Sequence, residues 1–175
     1  MKFSRSSVVL GVVLAQLIVL AGELGYCLYP HITGKEVLLA TAPVDPRSLF
    51  RGQYVRLSFE ISRISVSFFD QKERESLEVG DTVYVVLKEH DGVYKASSAS
   101  SSKPSGTTYI AGTVSRLGGS IVNVRYGLEA YFANPERAKE LETQRWERRG
   151  TRDGRSVVRV RLARNGQAAL VGFEG

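Results

Sequence analysis

The sequence predicts a single N-terminal transmembrane helix followed by a mainly-β (α+β) domain. Its sheet is expected to be antiparallel, twisted or barrel-like, with about eight strands and one short helix near 134–146. Three observations carry this. Val8 to Gly22 is apolar except for Gln16. From Lys35 onward the dominant hydrophobic period is two rather than 3.6. Asp91-Gly92 and Asn165-Gly166, dipeptides favoured in tight hairpins, sit between alternating stretches. The chain divides accordingly into a cytoplasmic tip (1–6), a signal-anchor helix (7–32) and an extracytoplasmic β-rich domain (36–175).

The anchor comes first. After Glu23 the apolar character resumes with Leu24, Tyr26, Leu28 and Tyr29. A helix from Ser7 to Leu28 rises about 33 Å, enough for a hydrocarbon core of about 30 Å. Lys2 and Arg5 precede it and Glu23 follows its main apolar run, which predicts a cytoplasmic N-terminus. The alternative is a cleaved signal peptide, but the small-x-small pattern around Leu20-Ala21-Gly22 is poor. Tyr26, before the single cysteine Cys27, is bulky where a lipid-attachment site needs a small residue. Tyr26 and Tyr29 suit an interfacial aromatic belt, and Pro30 with Thr33-Gly34 ends the helix. Gly11 and Ala15 have the spacing that lets a second helix approach closely. Gln16 adds an amide in mid-membrane that gains from a hydrogen-bond partner.

The domain's strands follow from alternation. Glu36 to Ala42 is the first, ended by Pro43 and Pro46. Val55, Leu57, Phe59 and Ile61 alternate with polar residues, and Ile64, Val66 and Phe68 continue the pattern. Asp70 to Ser76 reads as a charged loop. Asp91-Gly92 joins a strand at Thr82–Lys88 to one starting at Val93, which fades into a polar loop at Ser97–Ser102. Tyr109–Val114 and Ile121–Val124 pair across Gly118-Gly119. Asn134, Pro135 and Glu136 start a short helix that Gly150 closes, with Trp146 against the sheet. A two-residue turn at Asn165-Gly166 sets Leu162 opposite Ala169, Val160 opposite Val171 and Val158 opposite Phe173.

Composition narrows the chemistry. The 175 residues carry a net charge of +6, but the charges alternate in sign along the chain and form no long basic run. One cysteine excludes an intrachain disulfide and a multi-cysteine metal site. The two histidines, His31 and His90, lack ligand-spaced companions, so no metal is expected. Leu117-Gly118-Gly119 joins strands and opens no helix, so no nucleotide cofactor is expected either. Arginines 145, 148, 149, 152 and 155 cluster around Trp146, but Glu147 and Asp153 dilute them. Export also argues against nucleic acid.

Two blocks carry a family resemblance. Pro43-Val44-Asp45-Pro46-Arg47 precedes Gly52-Gln53-Tyr54-Val55-Arg56-Leu57-Ser58-Phe59, and Arg125-Tyr126-Gly127-Leu128-Glu129-Ala130-Tyr131-Phe132 lies downstream. Together they resemble the GDYXXLXY-domain family. Gly52, Tyr54 and Leu57 match its name; Gln53 stands where the name has Asp, and Phe59 where it has Tyr. The resemblance implies a bacterial membrane-anchored protein without an assigned activity, often beside or fused to multi-pass membrane proteins. If the signature Asp acts chemically in relatives, Gln53 removes that chemistry here.

Read from the residues, Gly52, Gln53, Leu57 and Phe59 form a tight turn into a strand. Asp45, Arg47, Arg51 and Tyr54 are candidates for a binding rim, extended by Arg125, Tyr126 and Glu129 if the two blocks meet in space. A Ser/Lys hydrolase is a lesser alternative: Ser48 is a serine beyond the anchor, with Lys88 or Lys95 as base, but the Ser-Met-x-Pro motif is missing. The favoured expectation is a non-enzymatic accessory or binding protein of the bacterial inner membrane, associated with a polytopic membrane protein. A ligand-binding sensor module is the alternative.

Overall fold

A computed structural model describes residues 5–41, 54–132 and 157–174. The first element is α1 (Arg5–Thr33), 29 residues long. From Val9 to Thr33 it is long and apolar enough to cross a membrane, and its side chains from Val9 to Leu28 are exposed, while Pro30 near its end is buried. It passes through Pro30 and ends a turn later, with the Thr33 hydroxyl donating to the Tyr29 carbonyl at 2.8 Å. Gly34 alone separates it from β1 (Lys35–Ala40).

The strands that follow are β2 (Tyr54–Arg56), β3 (Arg63–Ser65), β4 (Thr82–His90) and β5 (Val93–Ser100). β6 (Tyr109–Gly118), β7 (Ile121–Arg125), β8 (Ala130–Phe132), β9 (Val157–Leu162) and β10 (Ala168–Glu174) complete the set. Eight of them form one sheet in the order β10-β9-β1-β5-β4-β6-β7-β3, while β2 and β8 pair separately. The large sheet is antiparallel except where β1 lies parallel to β5. It curls into a half-barrel, as the alternating sequence predicts. Its inner face carries Leu39, Val83, Val85, Ile110, Val158 and Val160, all fully buried. Phe59, Ile64 and Phe69 from the chain between β2 and β4 fill the space those strands enclose.

Several local expectations change. Val55 to Phe68 is not one strand: two 3-10 turns, Glu60–Ser62 and Val66–Phe68, interrupt it, although Leu57, Phe59, Ile61 and Ile64 are buried as their alternation predicts. Residues 70–76 are not a loop; Gln71–Ser76 forms a short helix, α2. Its Arg74 donates to the Phe69 carbonyl at 2.7 Å, and its Glu73 accepts from the Ser100 hydroxyl and the Ser101 N–H, both at 2.8 Å. The serine-rich run after Ser97 stays in strand to Ser100, because pairing with β4 satisfies its backbone regardless of side-chain polarity. The helix expected near 134–146, with Trp146 and the neighbouring arginines, lies outside the described residues.

The hairpins are informative about register. Asp91 and Gly92 both take positive φ (53° and 78°), as the two-residue turn requires. At the last hairpin the loop has three residues, Arg164 to Gly166: Ala163 N–H donates to Gln167 O, and Gly166 N–H to Ala163 O. Only Gly166 takes positive φ there, the pattern of a turn closed by a glycine bulge. Ala168 therefore pairs with Leu162 and Leu170 with Val160, one residue off the expected register. A bulge between Leu170 and Gly172 restores it, so that Phe173 does face Val158.

The Glu73 carboxyl is subject to burial, which raises its pKa. Hydrogen bonds from Ser101, Ser100 and Asp70 outweigh that and hold it below its ordinary 4.5. A folded value below the unfolded one stabilises fully above about pH 4.5 and loses that contribution as pH falls through the folded value. In an acid titration of the full chain in detergent, Glu73→Gln should flatten the decline in stability below that pH.

A Cβ on Gly112 would collide with Val124 Cγ1 and stand 2.7 Å from Tyr126 Cδ1. Gly112→Ala should therefore destabilise the domain by about 1–3 kcal/mol, measured by urea unfolding of the full chain.

Candidate functional site

The two motif blocks meet. β2 runs antiparallel to β8 with Tyr54 opposite Phe132 and Arg56 opposite Ala130. The pairing extends one step further, where Leu57 N–H donates to the Glu129 carbonyl at 2.8 Å. Between β7 and β8 the chain turns through Gly127 at φ 79°. The Glu129 side chain closes that turn by accepting from the Tyr126 N–H at 2.6 Å.

Tyr126 is the pin of the junction. Its ring lies on β6 over Gly112, and its hydroxyl donates to the Ile61 carbonyl at 2.6 Å. Burial, reinforced by the Glu129 carboxylate, pushes the phenol far above its ordinary value, so it stays a neutral donor. Ile61 sits in the 3-10 turn that follows the first block, so this bond ties both blocks together inside the core. Tyr126 is thus buried rather than projecting, Glu129 is half-buried and Arg125 is exposed.

Leu57 and Phe59 have their side chains in the core, Phe59 at 0% exposure. A phenylalanine fits there without the hydroxyl partner that a tyrosine would need. Thr41 bridges to Phe59, fastening the end of β1 to the first block. The structure brings Leu57 beside Glu129 and sets the backbone of Tyr54 opposite Phe132, three positions further along the pair. Asp45, Arg47, Ser48, Arg51, Gly52 and Gln53 lie outside the described residues. Gly11, Ala15 and Gln16 are exposed along α1.

Beside this junction the half-barrel has a seam. β10 returns toward β6, and a single backbone bond, Ala111 N–H to Gly166 O at 2.9 Å, pins one end. Tyr109 supports the pin by donating to the Arg164 carbonyl at 2.6 Å. Below it lies an open groove of about 820 Å³. It is lined by Tyr26, Cys27, Pro30 and His31 of α1 and, from the domain, by Arg125 and Glu129 among others. The side of the domain along β10 was not expected as a site. The signal for it was Gly112, a glycine inside an otherwise alternating stretch.

The other candidate chemistry is dispersed. Lys88 and Lys95 stand opposite each other on β4 and β5, both exposed, so neither is desolvated as a lysine base must be. Among the described residues no group of three or more His, Cys, Asp or Glu side chains is placed to hold a metal ion.

Removing the Tyr126 hydroxyl leaves the buried Ile61 carbonyl without that donor. Tyr126→Phe should cost about 1–3 kcal/mol in a denaturant titration, with the native fold retained.

No curated protein and no solved structure matches the chain. A family profile, GDYXXLXY protein, matches residues 16–173, nearly the whole length. That range takes in both blocks that meet at Tyr126, and on that match the chain belongs to the GDYXXLXY family.

Proposed function

We propose that this is a membrane-anchored, non-enzymatic accessory protein whose α1 crosses the bacterial inner membrane and pairs with a multi-pass membrane protein. Its N-terminus lies in the cytoplasm and its β domain on the far side, docked against the same partner. The observation that carries this reading is the state of α1. It is a long apolar helix whose side chains from Val9 to Leu28 are exposed, yet it is fastened to the domain at its end. Gly11 and Ala15 leave its surface open to close approach, and Gln16 offers an amide that lipid cannot satisfy. Arg125 and Glu129 are the domain's contribution to the same contact.

A second reading, a ligand-binding sensor, draws support from the groove along the seam, whose volume falls in the range of small-molecule sites.

Purification in mild detergent followed by mass spectrometry tests the accessory reading. A polytopic protein should co-purify, and Gly11→Leu with Gln16→Leu should lower its recovery several-fold. The thermal melt of the β domain should not change, since those positions are exposed on α1. Recovery of the wild-type chain alone, at monomer mass, would overturn it.

A further inference from the structure

The seam groove lies at a definite depth. A hydrocarbon core of about 30 Å takes about twenty helical residues, which from Val9 reaches Leu28. Tyr26 and Cys27 then sit at the boundary between acyl chains and headgroups, and Pro30 and His31 sit among the headgroups. The groove these residues wall off therefore opens into the headgroup layer, where phospholipid is present at very high local concentration. This placement rests on α1 crossing the bilayer.

The groups at the mouth have a matching chemistry. Arg125 follows the core-facing Val124 and points away from the core, exposed, with no ion pair to a described residue. A guanidinium there is a bidentate donor for a phosphate. An acceptor lines the same groove: Glu129 has one carboxylate oxygen on the Tyr126 N–H and a second oxygen besides. The small residues Ala111 and Ala169 also line it and leave room for a glycerol backbone.

We propose that the seam holds the headgroup of a zwitterionic, amine-bearing glycerophospholipid. Its phosphate sits on Arg125, and its ammonium sits on Glu129. The bound lipid completes the unclosed side of the half-barrel and seats the domain against the membrane.

The test uses the full chain in nanodiscs containing equal phosphatidylethanolamine and phosphatidylglycerol, released and weighed by native mass spectrometry. One phosphatidylethanolamine per chain should be retained, and Arg125→Ala should lower retention about tenfold. Glu129→Gln keeps an oxygen for the Tyr126 N–H, so the fold persists while the preference for phosphatidylethanolamine disappears. Thr82→Trp, at an exposed position on the groove wall, should exclude both lipids. Equal retention of the two lipids by the wild type, or unchanged retention by Arg125→Ala, overturns the proposal. Scoring partner recovery on the same samples separates the two readings. A chain that keeps its partner without lipid refutes the headgroup site alone, and one that keeps lipid without a partner refutes the accessory role alone.

Discussion

The hydroxyl of Tyr126 and the carbonyl of Ile61 meet inside the protein, and much of the domain is arranged around that bond. A phenol and a peptide carbonyl taken out of water must satisfy each other, because neither has solvent to fall back on. Their pairing fixes where the chain after the first motif block lies relative to the chain before the second. Once that crossing is set, Leu57 reaches the Glu129 carbonyl, β2 aligns with β8, and Phe59 drops into the space enclosed by the curled sheet. Gly112 is the matching constraint on the sheet side, since any side chain there would occupy the place of the Tyr126 ring. The two conspicuous sequence blocks are therefore, first of all, two halves of one structural lock.

That view changes what the motif is for. The first block's apolar positions serve the core, and Phe59 shows how a departure from the family pattern is accommodated: a ring without a hydroxyl suits a site at 0% exposure. In the second block, neighbouring residues divide the labour. Tyr126 faces inward and holds the lock, while Arg125 faces outward at the mouth of the seam. The exposed polar group, Arg125, lies beside the lock rather than within it.

The fold class was legible because α1 and the strands are encoded by periodicity, which is local. Asp91-Gly92 was readable for the same reason: two adjacent residues dictate the turn. Elsewhere the deciding contacts are distant in sequence. Gln71–Ser76 looks like a solvated charged run until Ser100 and Ser101, at the end of β5, supply donors for Glu73. The serines after Ser97 resemble a linker because their strand character comes from β4 and not from their side chains. The last hairpin turned on a single extra loop residue, compensated by a bulge that no dipeptide rule announces. Of the site, the meeting of the two blocks could be framed as a condition from sequence. The inward direction of Tyr126 was also legible, since it continues the period-two burial of Val122 and Val124 through to Leu128, while the space its ring fills is set by Gly112 on another strand.

The single residue between α1 and β1 has a mechanical consequence. A Cβ on Gly34 would strike the Pro30 carbonyl and come within 2.9 Å of Arg161 Cβ. Arg161 itself grips the His31 carbonyl and, at 2.9 Å, the Glu36 carboxylate on either side of the joint. A lever about 43 Å long, taking 1.5 Å per residue over the helix, thus meets the sheet without a slack hinge. Bilayers of different thickness impose different tilts on such a helix. With α1 in the bilayer as proposed, a change of its tilt is passed through this joint to the half-barrel rather than absorbed by a linker.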